Sequence, residues 1–440
     1  MSLRILVTCL LSSLTDRSRR DDLQQCRRSG DRHLTIAVAE CMLSVIGLLS
    51  CAPARPERFR VVVPENSRAV VVPFKLAGGW IVVQSVRNRD TASLILDTGA
   101  DWTGLDRSWA TTNGARIWPA SDSAGAKGRA WALLDTMRLD GGLRILQKWI
   151  VLEPQSVNSL SEANGRLVRG YIGHDVLQHF TVEIDYAARL LRLYDPDYYS
   201  YAGSGVSIPF VGDSSEPIVQ SILVTRRGDS IKARLRLDTG DGRACVILNW
   251  PFVQQHNVSE IVTPTVEGSP LISLDGPLRV LLGGALSLRF GDVTVDSPTV
   301  VLGAERQGFL ADSTEDGTIG NRVFHNSRLI VDYAHRRAIL EPGASLGRRD
   351  CAYDLSGLTF TAFAPTFRIF RVRYVLPHSP GAEAGIQPGD ELVSMDGRSA
   401  GELDLEDVRQ ALRMDGAVRH LRLVRGPDTT LVSLMLRRLF

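Results

Sequence analysis

Ser93-Leu94-Ile95-Leu96-Asp97-Thr98-Gly99-Ala100 and Arg234-Leu235-Arg236-Leu237-Asp238-Thr239-Gly240-Asp241 carry the same tripeptide, Asp-Thr-Gly, after the same kind of approach. Each approach reads as a strand that delivers a carboxylate into a tight turn. Two such turns imply two facing carboxylates. Acids held that close cannot both ionise easily, so they share one proton, and one serves as base while the other serves as acid. Such a pair can take a proton from a water attacking a carbonyl and return one to the oxyanion or leaving nitrogen that develops. The hydroxyls of Thr98 and Thr239 can lock the turns, and Gly99 and Gly240 let backbone approach where a side chain would block it.

The triplet alone is a weak signal, because Asp and Gly are ordinary turn residues. Its surroundings strengthen it. Gly170-Tyr171-Ile172-Gly173-His174-Asp175-Val176-Leu177 follows the first triplet and Gly317-Thr318-Ile319-Gly320-Asn321-Arg322-Val323-Phe324 follows the second, both on the frame Gly-x-Ile-Gly-x-x-Val-apolar. Equally far beyond Gly173 and Gly320 stand Asp185-Tyr186-Ala187-Ala188-Arg189 and Asp332-Tyr333-Ala334-His335-Arg336. Matching order and spacing argue for a duplicated unit.

These residues resemble the aspartic proteases, both the two-lobed pepsin-like enzymes and the single-lobed retroviral type that dimerises. Lobe length and the closing Asp-Tyr strand look more like bacterial relatives of the retroviral type carried in tandem. The resemblance implies a mainly β fold with two tandem aspartic-protease barrel lobes, at residues 59–200 and 205–345. It implies a catalytic dyad of Asp97 and Asp238, supported by Thr98, Gly99, Ala100, Thr239 and Gly240. Tyr171-Ile172-Gly173 and Thr318-Ile319-Gly320 match the apolar segment that packs behind each family triplet. Two features depart from the pattern. Asp241 stands where the first copy has Ala100, and this third carboxylate disturbs proton sharing unless Arg243 or solvent neutralises it; the flap tyrosine of pepsins has no counterpart.

With 440 residues the chain suits about three domains. Apolar content of 44%, charged content of 23% and a net charge of +2 describe an ordinary globular protein with no global pull toward nucleic acid or anionic lipid. Its basic residues are nearly all arginine, which reads as coding bias. Residues 1–51 differ from the rest: a charged stretch from Asp16 to His33 precedes an apolar run from Leu34 that ends in Leu48-Leu49-Ser50-Cys51. A basic stretch, a short apolar run and small residues describe an export signal. Leu-x-Ser-Cys resembles the bacterial lipoprotein signal, which would lipidate Cys51 and place the protein in the cell envelope or periplasm. A buried helix or a single membrane span is the alternative, and Glu40 counts against both a clean signal and a span.

Outside that leader only Cys245 and Cys351 remain, with no metal-ligand spacing. Cys245, beside Val246-Ile247-Leu248, reads as a buried free thiol, a disulfide being the other reading. The histidines form no HExxH or similar set, so neither a metal nor an organic cofactor is expected. Short β-branched runs such as Trp80-Ile81-Val82-Val83 indicate β structure throughout both lobes. Ser123-Ala124-Gly125-Ala126-Lys127-Gly128, leading into Arg129–Leu139, and the stretch Gly268–Gly284 are the candidate flaps, a plain surface hairpin being the other reading.

The last segment changes character. Ser379-Pro380-Gly381-Ala382-Glu383-Ala384-Gly385-Ile386-Gln387-Pro388-Gly389-Asp390 and the following Met395-Asp396-Gly397 resemble a bacterial PDZ domain, across most of residues 357–440. The resemblance implies a small α/β domain that adds a peptide strand between a sheet edge and a helix, here Leu405–Met414. It puts peptide contacts at Phe370 and Val372, with Ala362-Phe363-Ala364-Pro365-Thr366-Phe367 in place of the usual Gly-Leu-Gly-Phe loop. A domain that only packs on the lobes is the bland reading. The expectation is thus an exported aspartic endopeptidase acting on polypeptides, with a protein partner at its PDZ domain, no nucleic acid, and membrane contact only through a lipid anchor. The competing class is an inactive peptide-binding protein. A further option is that each lobe pairs with the same lobe of another molecule.

Overall fold

The computed structural model describes residues 60–62, 68–87, 89–119, 130–212, 215–262, 264–274, 276–342, 351 and 354–440. The leader with Cys51 and the flap candidate Ser123–Gly128 lie outside the described residues.

Among the described residues the fold is mainly β, in sheets of 14, 9 and 6 strands. The first triplet directly follows strand Asp90–Leu96, and the second begins at the last residue of strand Ser230–Asp238. Each strand has an antiparallel neighbour on one side, Trp80–Arg87 for the first and Ile218–Val224 for the second. On its other side each lies parallel to its own Gly-x-Ile-Gly segment, with Leu94 opposite Gly170 and Leu235 opposite Gly317. Those segments in turn pair antiparallel with Gly104–Asp106 and Val246–Leu248. Sandwiched between two strands, they have no room for side chains at their first residue. A Cβ at Gly170 or Gly317 would lie 2.0 Å from the carbonyl oxygen of Gly104 or Ile247.

The two Asp-Tyr segments are the turns of hairpins. Thr181–Asp185 with Leu190–Tyr194, and Ser327–Asp332 with Arg337–Pro342, share a single sheet because Thr181 pairs with Asp332 and Asp185 with Arg328. Val182, Ile184, Leu329 and Val331 point into the core from these strands. Charges alternate with them: Arg192 meets Glu183 at 2.7 Å and Arg328 meets Glu341 at 3.1 Å. Period-two alternation separates the two faces, and in the central strands Thr181–Asp185 and Ser327–Asp332 both faces are largely buried, the opposite one holding paired charges. This sheet joins the two halves, and the tyrosine-rich connection seals its end, with Tyr201 Oη donating to Glu341 at 2.8 Å.

Cys245 is buried, but it is not a free thiol: it forms a disulfide with Cys351. Their separation of 106 residues hides the pairing in the sequence. The chain returns so that the Cys351 carbonyl accepts from Thr299 N at 3.0 Å. The stretch Gly268–Gly284 does form a hairpin, of strands Val266–Ser273 and Gly276–Gly284. It reaches the C-terminal domain, where the Tyr374 hydroxyl donates to the Glu267 carbonyl at 3.3 Å.

That domain orders its sheet as Leu358–Phe363, Ile369–Val375, Glu391–Met395, Val418–Arg425 and Asp428–Met435. Its longer helix, Leu405–Ala411, starts at a capping box: Asp404 accepts from Asp407 N at 2.9 Å while Asp407 accepts from Asp404 N at 3.0 Å. The expectation that Phe370 and Val372 contact a bound peptide is corrected. They belong to the second strand, which is hydrogen-bonded on both sides, and both are core residues. A strand paired on both sides cannot accept another. The outer strand beside the helix is Leu358–Phe363, preceded by the loop Asp354–Gly357. It packs against helix Leu405–Ala411 and also against helix Pro154–Asn164 of the first half.

Candidate active site

The two triplets meet through their glycines and threonines. A Cβ at Gly99 would fall 2.4 Å from Cγ of Asp238, and one at Gly240 would fall 2.2 Å from Cγ of Asp97. Each glycine therefore gives up its side chain to the other half's carboxyl. Thr98 Oγ1 donates to the Leu237 carbonyl at 2.6 Å and accepts from Thr239 N at 3.0 Å. Thr239 Oγ1 reciprocates, donating to the Leu96 carbonyl at 2.8 Å and accepting from Thr98 N at 3.1 Å. Both threonines are fully buried. Thr98→Val keeps the shape but strands the Leu237 carbonyl and the Thr239 N–H, and unsatisfied buried groups cost about 1–3 kcal/mol each. We expect a loss of about 2–4 kcal/mol by urea denaturation, with Thr98→Ser restoring most of it.

The carboxyls are oriented by their own turns. Asp97 Oδ1 accepts from the backbone N–H of Gly99 and Ala100, both at 3.0 Å, and Asp238 Oδ1 accepts from Gly240 at 2.8 Å and Asp241 at 3.1 Å. Burial pushes Asp97 well above the ordinary carboxylate range, and the charge of Asp238 pushes it further, against the two N–H groups that pull it down. Asp238 is raised too, by burial and then by Asp241, but Arg236 draws it back. Both carboxyls are raised, and as a closely coupled pair they titrate as one unit.

Asp241 turns inward. Its Oδ1 caps the turn by accepting from Arg243 N and Ala244 N, each at 3.1 Å. Its Oδ2 is buried without a hydrogen-bond partner. Burial lifts this carboxyl to about 6, while the nearby charges of Arg322 and Arg243 oppose the rise.

Several supporting residues are not apparent from the triplets. Arg236, two residues before Asp238, is buried and four-fold engaged: Nε donates to Glu315 at 2.6 Å, Nη1 to the Gly99 carbonyl at 3.1 Å and to Asp101 at 3.0 Å, and Nη2 to Glu216 at 3.4 Å. It ties the second strand to the first triplet's turn. Period two places it on the same face as Asp238, the one signal that could have marked it. Trp80 Nε1 donates to the Gly240 carbonyl at 2.6 Å. Asn321 donates to the Gly79 carbonyl at 2.7 Å and accepts from the Tyr186 hydroxyl, coupling the Asp-Tyr turn of one half to the other. Beside the first triplet, Trp80, Trp131 and Tyr171 form an apolar wall, extended by Trp102, which meets Trp131 edge-on at 5.2 Å and is 41% exposed. A wet-edged aromatic wall beside buried acids suits an extended apolar side chain.

Residues 371–425 match the PDZ domain family, so the C-terminal sheet with its helix is a PDZ domain. No curated protein matches the chain. Among solved structures, the photosystem II D1 C-terminal processing protease aligns at 24% identity over 19% of this chain and 23% of its own, with a TM-score of 0.18. The HtrA3 PDZ domain bound to a phage-derived ligand aligns at 27% identity over 18% of this chain and 80% of its own, with a TM-score of 0.16. The chain thus spans under a quarter of the length of the processing protease.

Proposed function

We propose that the chain is a two-lobed aspartic endopeptidase, in which Asp238 activates a water and Asp97 donates a proton to the scissile carbonyl of an extended polypeptide. The observation that carries this reading is the reciprocal seating of each triplet's glycine against the other triplet's carboxyl, with the threonines cross-bonded behind. Water attacks as Asp238 takes its proton; the proton from Asp97 neutralises the oxyanion; collapse then returns a proton to the leaving nitrogen. The halves meet within one chain, which supports an internal pair over one shared between two molecules. The buried disulfide supports export to an oxidising compartment such as the periplasm or envelope, with lipidation of Cys51 as its anchor.

The test is hydrolysis of mixed unstructured peptides by the full chain across pH. Below both dyad pKa values the pair is doubly protonated and lacks a base; above both, it lacks an acid. Because burial raises both carboxyls, cleavage is expected to be faster near neutral pH than in acid. Asp241→Asn removes the charge that raises Asp238, so the pH profile of kcat/KM moves to lower pH. No cleavage at any pH would sink the reading. It would leave the second one, a peptide-binding protein without turnover, which the unpartnered Asp241 oxygen next to the dyad favours.

A further inference from the structure

The hairpin turn Ala77-Gly78-Gly79-Trp80 joins strands Ala69–Ala77 and Trp80–Arg87, with Ala77 paired to Trp80 across it. A two-residue turn of this kind needs a left-handed backbone at both central positions, and Gly78 and Gly79 supply it at φ +63° and +90°. Three parts of the chain meet on this turn: the loop of the second triplet, helix Pro154–Asn164 of the first half, and the PDZ helix Leu405–Ala411.

Toward the second triplet the contact is backbone on backbone. A Cβ on Gly79 would collide with the Gly242 carbonyl, and the Gly79 carbonyl accepts from Asn321 at 2.7 Å with His325 Nε2 at 3.2 Å. Trp80 gives its indole N–H to the Gly240 carbonyl at 2.6 Å. That carbonyl and the N–H of Asp241 belong to one planar peptide group, so fixing the oxygen fixes the N–H. The Asp241 N–H is one of the two donors on Asp238 Oδ1. The first triplet has a matching arrangement, since the Gly99 carbonyl accepts from Arg236 while Ala100 N donates to Asp97.

On its other side the turn is held by the PDZ helix. Glu406 Oε2 accepts from Gly78 N at 3.1 Å, and its other oxygen accepts from Gln410 at 3.3 Å. Arg409, whose counter-charges are Glu406 and Asp354, donates to the Ala163 carbonyl at 2.7 Å. The next residue, Asn164, donates to the Ala77 carbonyl at 3.0 Å. One face of the PDZ helix thus grips the turn directly through Glu406 and indirectly through Arg409 and helix Pro154–Asn164.

We propose that Glu406 is a positioning residue for the dyad: by holding the turn at Gly78 it keeps Trp80 on the Gly240 carbonyl, and so sets the Gly240–Asp241 peptide that orients Asp238. The role rests on the peptidase reading for its effect on rate, and on the contacts alone for its effect on Trp80. It makes the PDZ helix a part of the catalytic frame.

The experiment compares the full chain with Glu406→Ala, Glu406→Gln, Trp80→Phe and the double variant Glu406→Ala/Trp80→Phe. Hydrolysis of an unstructured peptide is measured beside 19F spectra of chains labelled with 5-fluorotryptophan, the Trp80 resonance being the one lost in Trp80→Phe. Glu406→Ala should lower kcat about tenfold while KM stays within about twofold, because misplacing a reacting group costs rate and not ground-state binding. Glu406→Gln keeps an acceptor oxygen for Gly78 N–H and should restore most of the loss. Trp80→Phe should lose as much as Glu406→Ala, and the double variant should be no worse than Trp80→Phe, because both act through one turn. In the spectra, Glu406→Ala should move the Trp80 resonance more than that of any other tryptophan, and Glu406→Gln should return it. A raised KM at unchanged kcat, additive losses in the double variant, or an unmoved Trp80 resonance overturns the proposal. If the parent hydrolyses no peptide, the peptidase reading fails and the resonance alone decides: moved by Glu406→Ala, it upholds the hold on the Gly240 loop; unmoved, it removes that too.

Discussion

Asp97→Asn and Asp238→Asn should each lower kcat/KM for peptide hydrolysis by on the order of 10³-fold or more, and the double variant should be no worse than either single one. The non-additivity is the diagnostic part. Two carboxyls sharing a proton act as one unit, so removing either half removes the whole. Asn keeps an oxygen to accept the N–H groups of Gly99 and Ala100, or of Gly240 and Asp241, and the turns should survive. Stability should move the other way. A carboxyl whose folded pKa lies above its unfolded value stabilises only at low pH, and its contribution is lost as pH rises. At neutral pH each single Asn variant should therefore melt higher than the parent, while at acid pH the gap closes. Retained hydrolysis in either single variant would remove the dyad from the mechanism.

Arg236→Leu carries the largest expected loss of stability, about 3–5 kcal/mol, because it leaves Glu315 buried without its partner. Glu315 is already lifted to about 6 by burial, with Arg236 opposing the rise. Without that opposition it rises further, so the variant should lose stability as pH climbs from the ordinary glutamate value of 4.5 through the raised folded value, and recover as Glu315 is protonated in acid. Arg236→Lys should not rescue it, since one ammonium cannot reach Glu315, Asp101, Glu216 and the Gly99 carbonyl at once. Chemical denaturation at two pH values measures both effects. The same variant removes the charge that draws Asp238 down, so its residual activity should shift to higher pH, opposite to Asp241→Asn. A variant as stable as the parent at neutral pH would show that Glu315 has another neutralising partner.

Local frames are legible in this sequence; partners distant in sequence are not. The two triplets, the Gly-x-Ile-Gly segments beside them and the Asp-Tyr turns each occupy a few consecutive residues whose chemistry states their geometry. Ser379-Pro380 with Gly389-Asp390 does the same for the PDZ domain. Arg236 escaped because an arginine in an alternating strand looks like a solvent-facing residue until its face is known to be the one that carries Asp238. Trp80 escaped because its bond to Gly240 crosses between the halves. The reading of Phe370 and Val372 failed for a different reason: a strand's pattern of side chains is blind to which of its edges is already paired. The two cysteines gave no spacing to read at all.

The disulfide has a mechanical consequence. Cys245 closes the loop that carries Asp241 and Arg243, and Cys351 stands at the threshold of the PDZ domain. Where a linker alone would make a hinge, this bond makes a bolt, fixing the domain's entry point to the segment behind Asp238. Reducing it would release that entry point and the segment carrying Asp241 and Arg243 in one stroke.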